Sequence, residues 1–202
     1  MHAFSLTLGF FACLLPGLVI GDTRAAPVGD MPPAVASADT TTPASAVRDG
    51  SRDFDFLLGQ WTVHNRRLLK RMAGSHDWVE FDAQDEFHPL PGGIGTQEHY
   101  RTGFWKDFEA VGLHLYDPRA RRWTLYWVDN HNAPGILQPP ASGAFDGDTG
   151  IFTGTDTLDG KPITVRFSWK RLDRNHVRWE QAFSSDTGAS WETNWTMDFV
   201  RR

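Results

Sequence analysis

The sequence has almost no cysteine: Cys13 is the single one in 202 residues. A disulfide scaffold and a zinc cluster built on thiolates are thereby excluded. It has no excess of basic charge either. Lys and Arg number 20 against 25 Asp and Glu, for a formal net charge of −5, which argues against a nucleic-acid-binding surface. There is no Gly-x-Ser-x-Gly nucleophile motif. No two histidines stand at a metal-ligand spacing on one strand face. Aromatic residues are missing from 22–52, and helical periodicity is nearly missing from 53–202. What the chain has in abundance is tryptophan, with nine, all of them beyond residue 52.

Residues 3–20 form an uncharged apolar stretch, followed by Gly21 and Asp22. This predicts a secretory signal peptide over 1–21, with cleavage extending at most to about residue 25. His2 is its one candidate positive charge. A membrane-spanning helix needs about 20 apolar residues, and Pro16 and Gly17 interrupt this run. A lipoprotein reading through Cys13 suffers from the short apolar run before it. Cleavage would remove Cys13, so the expected location is secreted or periplasmic, with no stable membrane span. Residues 22–52 draw 18 of 31 positions from Ala, Pro, Ser and Thr. Such a segment cannot bury enough apolar surface to offset chain entropy, and it predicts a disordered linker.

The domain at 53–202 alternates with period two. Ile163, Val165, Phe167 and Trp169 alternate with polar residues, as do Trp123, Leu125 and Trp127. Turn signals such as Asp117-Pro118, Asp146-Gly147 and Asp159-Gly160 separate the runs. About ten short strands result: 60–70, 78–88, 95–104, 109–116, 122–129, 143–146, 150–157, 162–171, 175–184 and 190–200. The expected fold is all-β, an antiparallel up-and-down β-barrel. A short helix at Phe54–Leu58 is expected to close one end.

The domain opens Phe54-Asp55-Phe56-Leu57-Leu58-Gly59-Gln60-Trp61. A Gly-x-Trp heading the first strand resembles the lipocalin (calycin) superfamily. The resemblance implies that Gly59 and Trp61 close the barrel base and that Arg201, or failing it Arg202, packs over the indole by a cation–π contact. Across 53–202 the chain is similar to a bacterial, often secreted, lipocalin-like family with no established activity. Phe54–Leu68, Arg122–Asp129, Gly143–Arg166 and Trp179–Arg201 carry that similarity. It implies a fold and no reaction. Ser184–Trp191 resembles the Asp-box hairpin, with structural roles for Asp186 (turn acceptor), Gly188 and Trp191. A propeller would repeat the motif in every blade, and here it occurs once.

With Trp61 pointing inward, odd positions of the first strand line the barrel. The expected lining is Trp61, Val63, Asn65 and Arg67; Glu98, Tyr100, Thr102 and Phe104; Trp123, Leu125, Trp127 and Asp129; Val165, Phe167 and Trp169; Val177, Trp179, Gln181 and Phe183; and Trp191, Thr193, Trp195, Met197 and Phe199. Apolar walls with few polar groups suit a small-ligand pocket. The candidate ligand-binding residues are Asn65, Arg67, Tyr100, Trp127, Trp169, Trp179, Gln181 and Trp195. Phase places His64, His99 and His114 outward, and His131 is the one tempting haem ligand. No cofactor and no metal are expected. The loop 130–143 is long enough to serve as a lid through Ile136-Leu137, or it is simply an irregular connection.

Three functions remain open. The first is a secreted carrier or sensor of a small apolar or aromatic molecule, with no nucleic-acid partner. The second is an acid–base enzyme (isomerase, cyclase or hydrolase) with Asp129 or Glu98 as base; no catalytic residue is assigned beyond these candidates. The third is a non-catalytic interaction module with a filled core. Ligand, reaction and oligomeric state are not written in the sequence.

Overall fold

The computed structural model describes residues 49–131 and 135–202. The signal segment 1–21, Cys13, the linker up to residue 48, and Pro134 lie outside the described residues. Ten strands form a closed barrel: β1 (Gly59–Leu68), β2 (Trp78–Pro89), β3 (Gly95–Thr102), β4 (Phe108–Asp117), β5 (Arg122–Asp129), β6 (Ala141–Asp146), β7 (Thr149–Leu158), β8 (Lys161–Arg171), β9 (His176–Ser184) and β10 (Glu192–Arg201). Each strand pairs antiparallel with its chain neighbours, and β10 returns to β1 to close the wall. Closure pairs the first strand with the last, so neither terminal strand is left as a free edge. Where the sequence suggests a short helix there is a single 3-10 turn, Asp55–Leu57.

The alternation is plain on β1. Trp61, Val63 and Asn65 are buried, while Thr62, His64 and Arg66 are exposed. Their pairing with Arg201, Phe199 and Met197 of β10 sets the inward face there. The base end is filled. Phe54 is fully buried amid His114, Trp123 and Phe145, with ring centroids 4.4–4.9 Å away. Residues 49–52, at the end of the segment read as linker, belong to this base. Gly50 O accepts the Trp123 indole N–H at 3.0 Å, and the Tyr116 hydroxyl donates to Asp49 O. Two aromatic side chains of the wall thus find their acceptors in that segment.

The thinnest seam lies between β5 and β6, which share three register pairs, Trp123 to Gly143 through Leu125 to Ala141. Beyond Leu125 the two strands part, and Gln138 N–H donates to Trp127 O across the gap at 3.0 Å. The long loop therefore leaves from the barrel wall at the open end.

Two predicted phases are corrected. On β4 the sequence phase places His114 outward, opposite the apolar Val111, Leu113 and Leu115. The reverse holds: Ala110, Gly112 and His114 are buried, and Val111 is exposed. Small inner residues are needed because Glu98 of β3 fills the space over Gly112; a methyl group there would stand 2.2 Å from Glu98 Oε1. On β10 the register shifts between Thr193 and Trp195. Asn194 is the extra residue, fully buried and held by Gln181 at 2.8 Å. A β-bulge of this kind reverses the phase on one side of it. Thr193 and Trp191 therefore leave the inner face, and Trp191 lies under the Arg166 guanidinium at 4.3 Å.

Candidate functional site

The base is closed by one contact set. Trp61 is 0 % exposed, and its indole N–H donates to Leu57 O at 2.6 Å. The Arg201 guanidinium sits 4.1 Å from the ring centroid and donates to Leu58 O and Phe56 O at 2.7 and 2.6 Å. One arginine thus ties the last strand to the turn before the first. Gly59, at φ +112°, lets the chain pass beneath that guanidinium.

Above the base the barrel encloses a cavity of about 580 Å³. That volume falls within the usual range of small-molecule sites. Trp105, Trp127, Trp169, Trp179 and Trp195 form much of its wall. Trp179 stacks on Phe167 at 5.5 Å and meets Trp195 edge-on at 5.8 Å. Asn65 is the polar hub: its Oδ1 accepts from the Tyr100 hydroxyl and from the Trp195 indole N–H, each at 3.0 Å. Those side chains are oriented by the protein itself.

At the open end Arg67 lies between Trp105 and Trp195, 5.4 and 5.2 Å from their centroids. Its Nε has no hydrogen-bond partner, and no carboxylate pairs with it, among the described residues. Burial, and then repulsion from Arg71, lower its pKa to about 10, so it stays charged at neutral pH. Arg71 also lines the cavity, and the charges of Asp159, Asp156 and Glu192 act on it, Asp156 being itself part of the lining.

The deeper wall is acidic. Asp85 of β2 and Glu98 of β3 are diagonal neighbours across the strand pair. Both face the cavity, 4 % and 7 % exposed. Burial pushes the Glu98 carboxyl up to about 8. Burial and the charge of Glu98 hold Asp85 well above the usual carboxylate range, although Glu86 N–H donates to Asp85 Oδ1 at 2.9 Å. Glu98 has no hydrogen-bond partner among the described residues. His114, 3 % exposed, bonds Thr96 Oγ1 through Nδ1 at 3.2 Å, and burial lowers its pKa to about 3. It is a neutral imidazole.

Arg67, Tyr100, Trp127, Trp169, Trp179, Gln181 and Trp195 therefore share one chamber, whereas Asn65, expected to line it, is fully buried behind Tyr100 and Trp195 and orients them. Asp129 is different, being committed to the loop. Its carboxylate accepts from the Trp127 indole N–H at 3.1 Å, from His131 N–H at 2.9 Å and from Gln138 Nε2 at 3.5 Å. His131 is exposed, and its Nε2 contacts Lys106 O at 2.8 Å. His64 and His99 lie outside, against Asp82 and Glu109. Ile136 and Leu137 face solvent, 66 % and 48 % exposed. It is His131, Gln138, Pro139 and Pro140 of the loop that border the cavity. Phe104 lies beyond β3 and stacks on Phe81 at 4.2 Å. Ser190 and Ser184 hydroxyls both donate to Asp186 at 2.6 Å, and Trp191 packs on Gly188. No group of three or more metal-ligating side chains occurs among the described residues.

Sequence reasoning missed Asp85, His114 and Trp105. The signal for Asp85 was available, since Phe81, Ala83 and Phe87 share its phase. Trp105 stands in a loop, where periodicity says nothing. No protein-family model and no curated protein matches the chain.

Proposed function

We propose that the barrel is a secreted or periplasmic, lipocalin-like binding protein for a small molecule with an apolar or aromatic body and one anionic group. The observation that carries this reading is the unpaired Arg67 guanidinium at the mouth of a tryptophan-walled cavity. Aromatic walls take up an apolar body by burial and ring contacts. A half-buried arginine without a carboxylate partner provides a charge-assisted, bidentate site for an anion. The Arg201 contact over Trp61 supports the lipocalin-like assignment, and the apolar stretch at 3–20 supports export. A filled interaction module is the rival, and a cavity of about 580 Å³ weighs against it.

The test is a titration with anilinonaphthalene sulfonate, which joins an aromatic body to one anion. Saturable binding with quenched tryptophan emission is expected. Arg67→Gln should weaken it roughly 10- to 100-fold, the worth of one charge-assisted pair. No saturable binding, or equal affinity in the variant, contradicts the reading.

A further inference from the structure

The geometry points to a second property of the same cavity: Asp85 and Glu98 form a proton-transfer centre that enolises a ketone or related carbonyl compound bound against the tryptophan wall. The inference rests on the binding reading for the substrate's position, and adds a reaction to it.

The two carboxyls stand on adjacent strands and face the same chamber. Neither has a cationic side chain within ion-pair distance among the described residues. Two carboxylates set diagonally on one buried wall oppose each other's ionisation. Glu98 gives up its proton first, near 8, and its charge keeps Asp85 protonated beyond that, so above about pH 8 the pair holds one carboxylate and one carboxylic acid. The groups facing it are few. Tyr100 on β3 donates to Asn65 of β1, His114 on β4 is neutral, and Arg101 reaches Asp85 only as a distant charge. Glu98 keeps both oxygens without a protein partner, and Gly112 makes room for it. An independent sign of a ligand is the Trp169 indole N–H. Trp169 is 3 % exposed, lines the cavity, and its Nε1 has no acceptor among the described residues. Such an orphan donor on the cavity wall is placed to meet a ligand oxygen.

The reaction balances without an added reagent. The carboxylate takes a proton from the carbon next to the carbonyl. The C–H electron pair becomes the C=C bond of the enol form, and the carbonyl oxygen takes up the charge under a hydrogen bond from the carboxylic acid. Return of the proton to the same carbon gives exchange; its return to a conjugated carbon moves a double bond. Among the described residues no serine or cysteine borders the cavity, so acyl transfer through such a nucleophile has no candidate among them. A dry apolar wall favours transfer between carbon and a raised-affinity carboxylate.

The experiment incubates the protein with β-tetralone in deuterated buffer at about pH 8.5, where Glu98 is ionised, and follows loss of the α-proton signals by NMR. Binding of the ketone is read in parallel by tryptophan quenching. Exchange faster than in buffer is expected, reduced about 100-fold or more in both Glu98→Gln and Asp85→Asn. Both variants should still quench with anilinonaphthalene sulfonate, which also shows that they fold. Ketone that binds the wild type yet exchanges at the buffer rate overturns the proton-transfer centre and leaves the binding reading standing. Exchange retained in either variant overturns the pair. Ketone that fails to bind overturns the substrate class.

Discussion

Trp61→Ala should lose about 3–5 kcal/mol of stability, a third or more of what a domain of this size usually has. The whole indole is out of solvent, so its removal leaves a cavity at the base of the barrel. Leu57 O loses its donor, and the turn Asp55–Leu57 loses its anchor to β1. Arg201 loses the ring it covers while remaining bonded to Leu58 O and Phe56 O. These losses fall at one place, where the first and last strands meet, so barrel closure itself is weakened. Trp78→Ala is the matched control. Trp78 lies outside under Arg66, 4.6 Å from its ring centroid, and its removal should cost less than about 1 kcal/mol. Urea unfolding checks both, read as a fall in midpoint at constant slope. A Trp61→Ala midpoint close to that of Trp78→Ala would contradict the role given to the base.

The second large effect is on the pH dependence of stability. Glu98 titrates near 8 in the folded protein against 4.5 for a free glutamate, and Asp85 moves in the same direction. Folding therefore favours the protonated acids. That contribution is whole below pH 4.5 and disappears as pH rises through about 8. His114 acts at the other end. Its pKa near 3 against 6.5 for a free imidazole means the unfolded chain takes up a proton that the folded protein refuses. Stability is whole above pH 6.5 and falls as pH drops through this window. Asp186, held low by Ser184 and Ser190, falls away on the acid side as well. Thermal stability should therefore peak in mildly acidic buffer and decline toward pH 8. Glu98→Gln keeps the shape of the side chain and removes its titration. It should raise stability at pH 8 by about 2–4 kcal/mol over the wild type, with little change near pH 5. Calorimetry across that range is the check. A variant whose profile parallels the wild type would mean that Glu98 is solvated rather than dry.

Much of this barrel is legible in the sequence, because period two sets both the strands and the inward face. Trp61, Asn65, Trp123, Trp169, Trp179 and Phe199 follow from that rule alone. Arg201 does not follow from periodicity; it comes from the resemblance carried by Gly59-Gln60-Trp61. The phase fails on β4 because apolarity there marks the outer face rather than the inner one. Ala110 and Gly112 are inside because they are small, and at Gly112 that leaves room for Glu98 to lie over the strand. His114 is inside because Phe54 and Trp169 surround it with rings. The bulge at Asn194 leaves no mark in the hydrophobic pattern, since both Trp191 and Trp195 are aromatic. The chemistry was less legible than the fold. Asp129 and Glu98 look alike as in-phase acids. Only the hydrogen bonds separate them, Asp129 being held by Trp127, His131 and Gln138 and Glu98 being left open.

The tryptophans provide the most direct test of a ligand-accepting interior. Among them Trp105, Trp127, Trp169, Trp179 and Trp195 line the cavity, Trp61 and Trp123 are packed in the base, and Trp78 and Trp191 lie outside. Each indole N–H gives its own signal in a nitrogen–proton correlation spectrum. Titration with anilinonaphthalene sulfonate should shift the five cavity signals together, with one affinity, and leave those of Trp78 and Trp191 in place. Shifts confined to Trp78 and Trp191, or no saturable shift at any indole, would contradict the account.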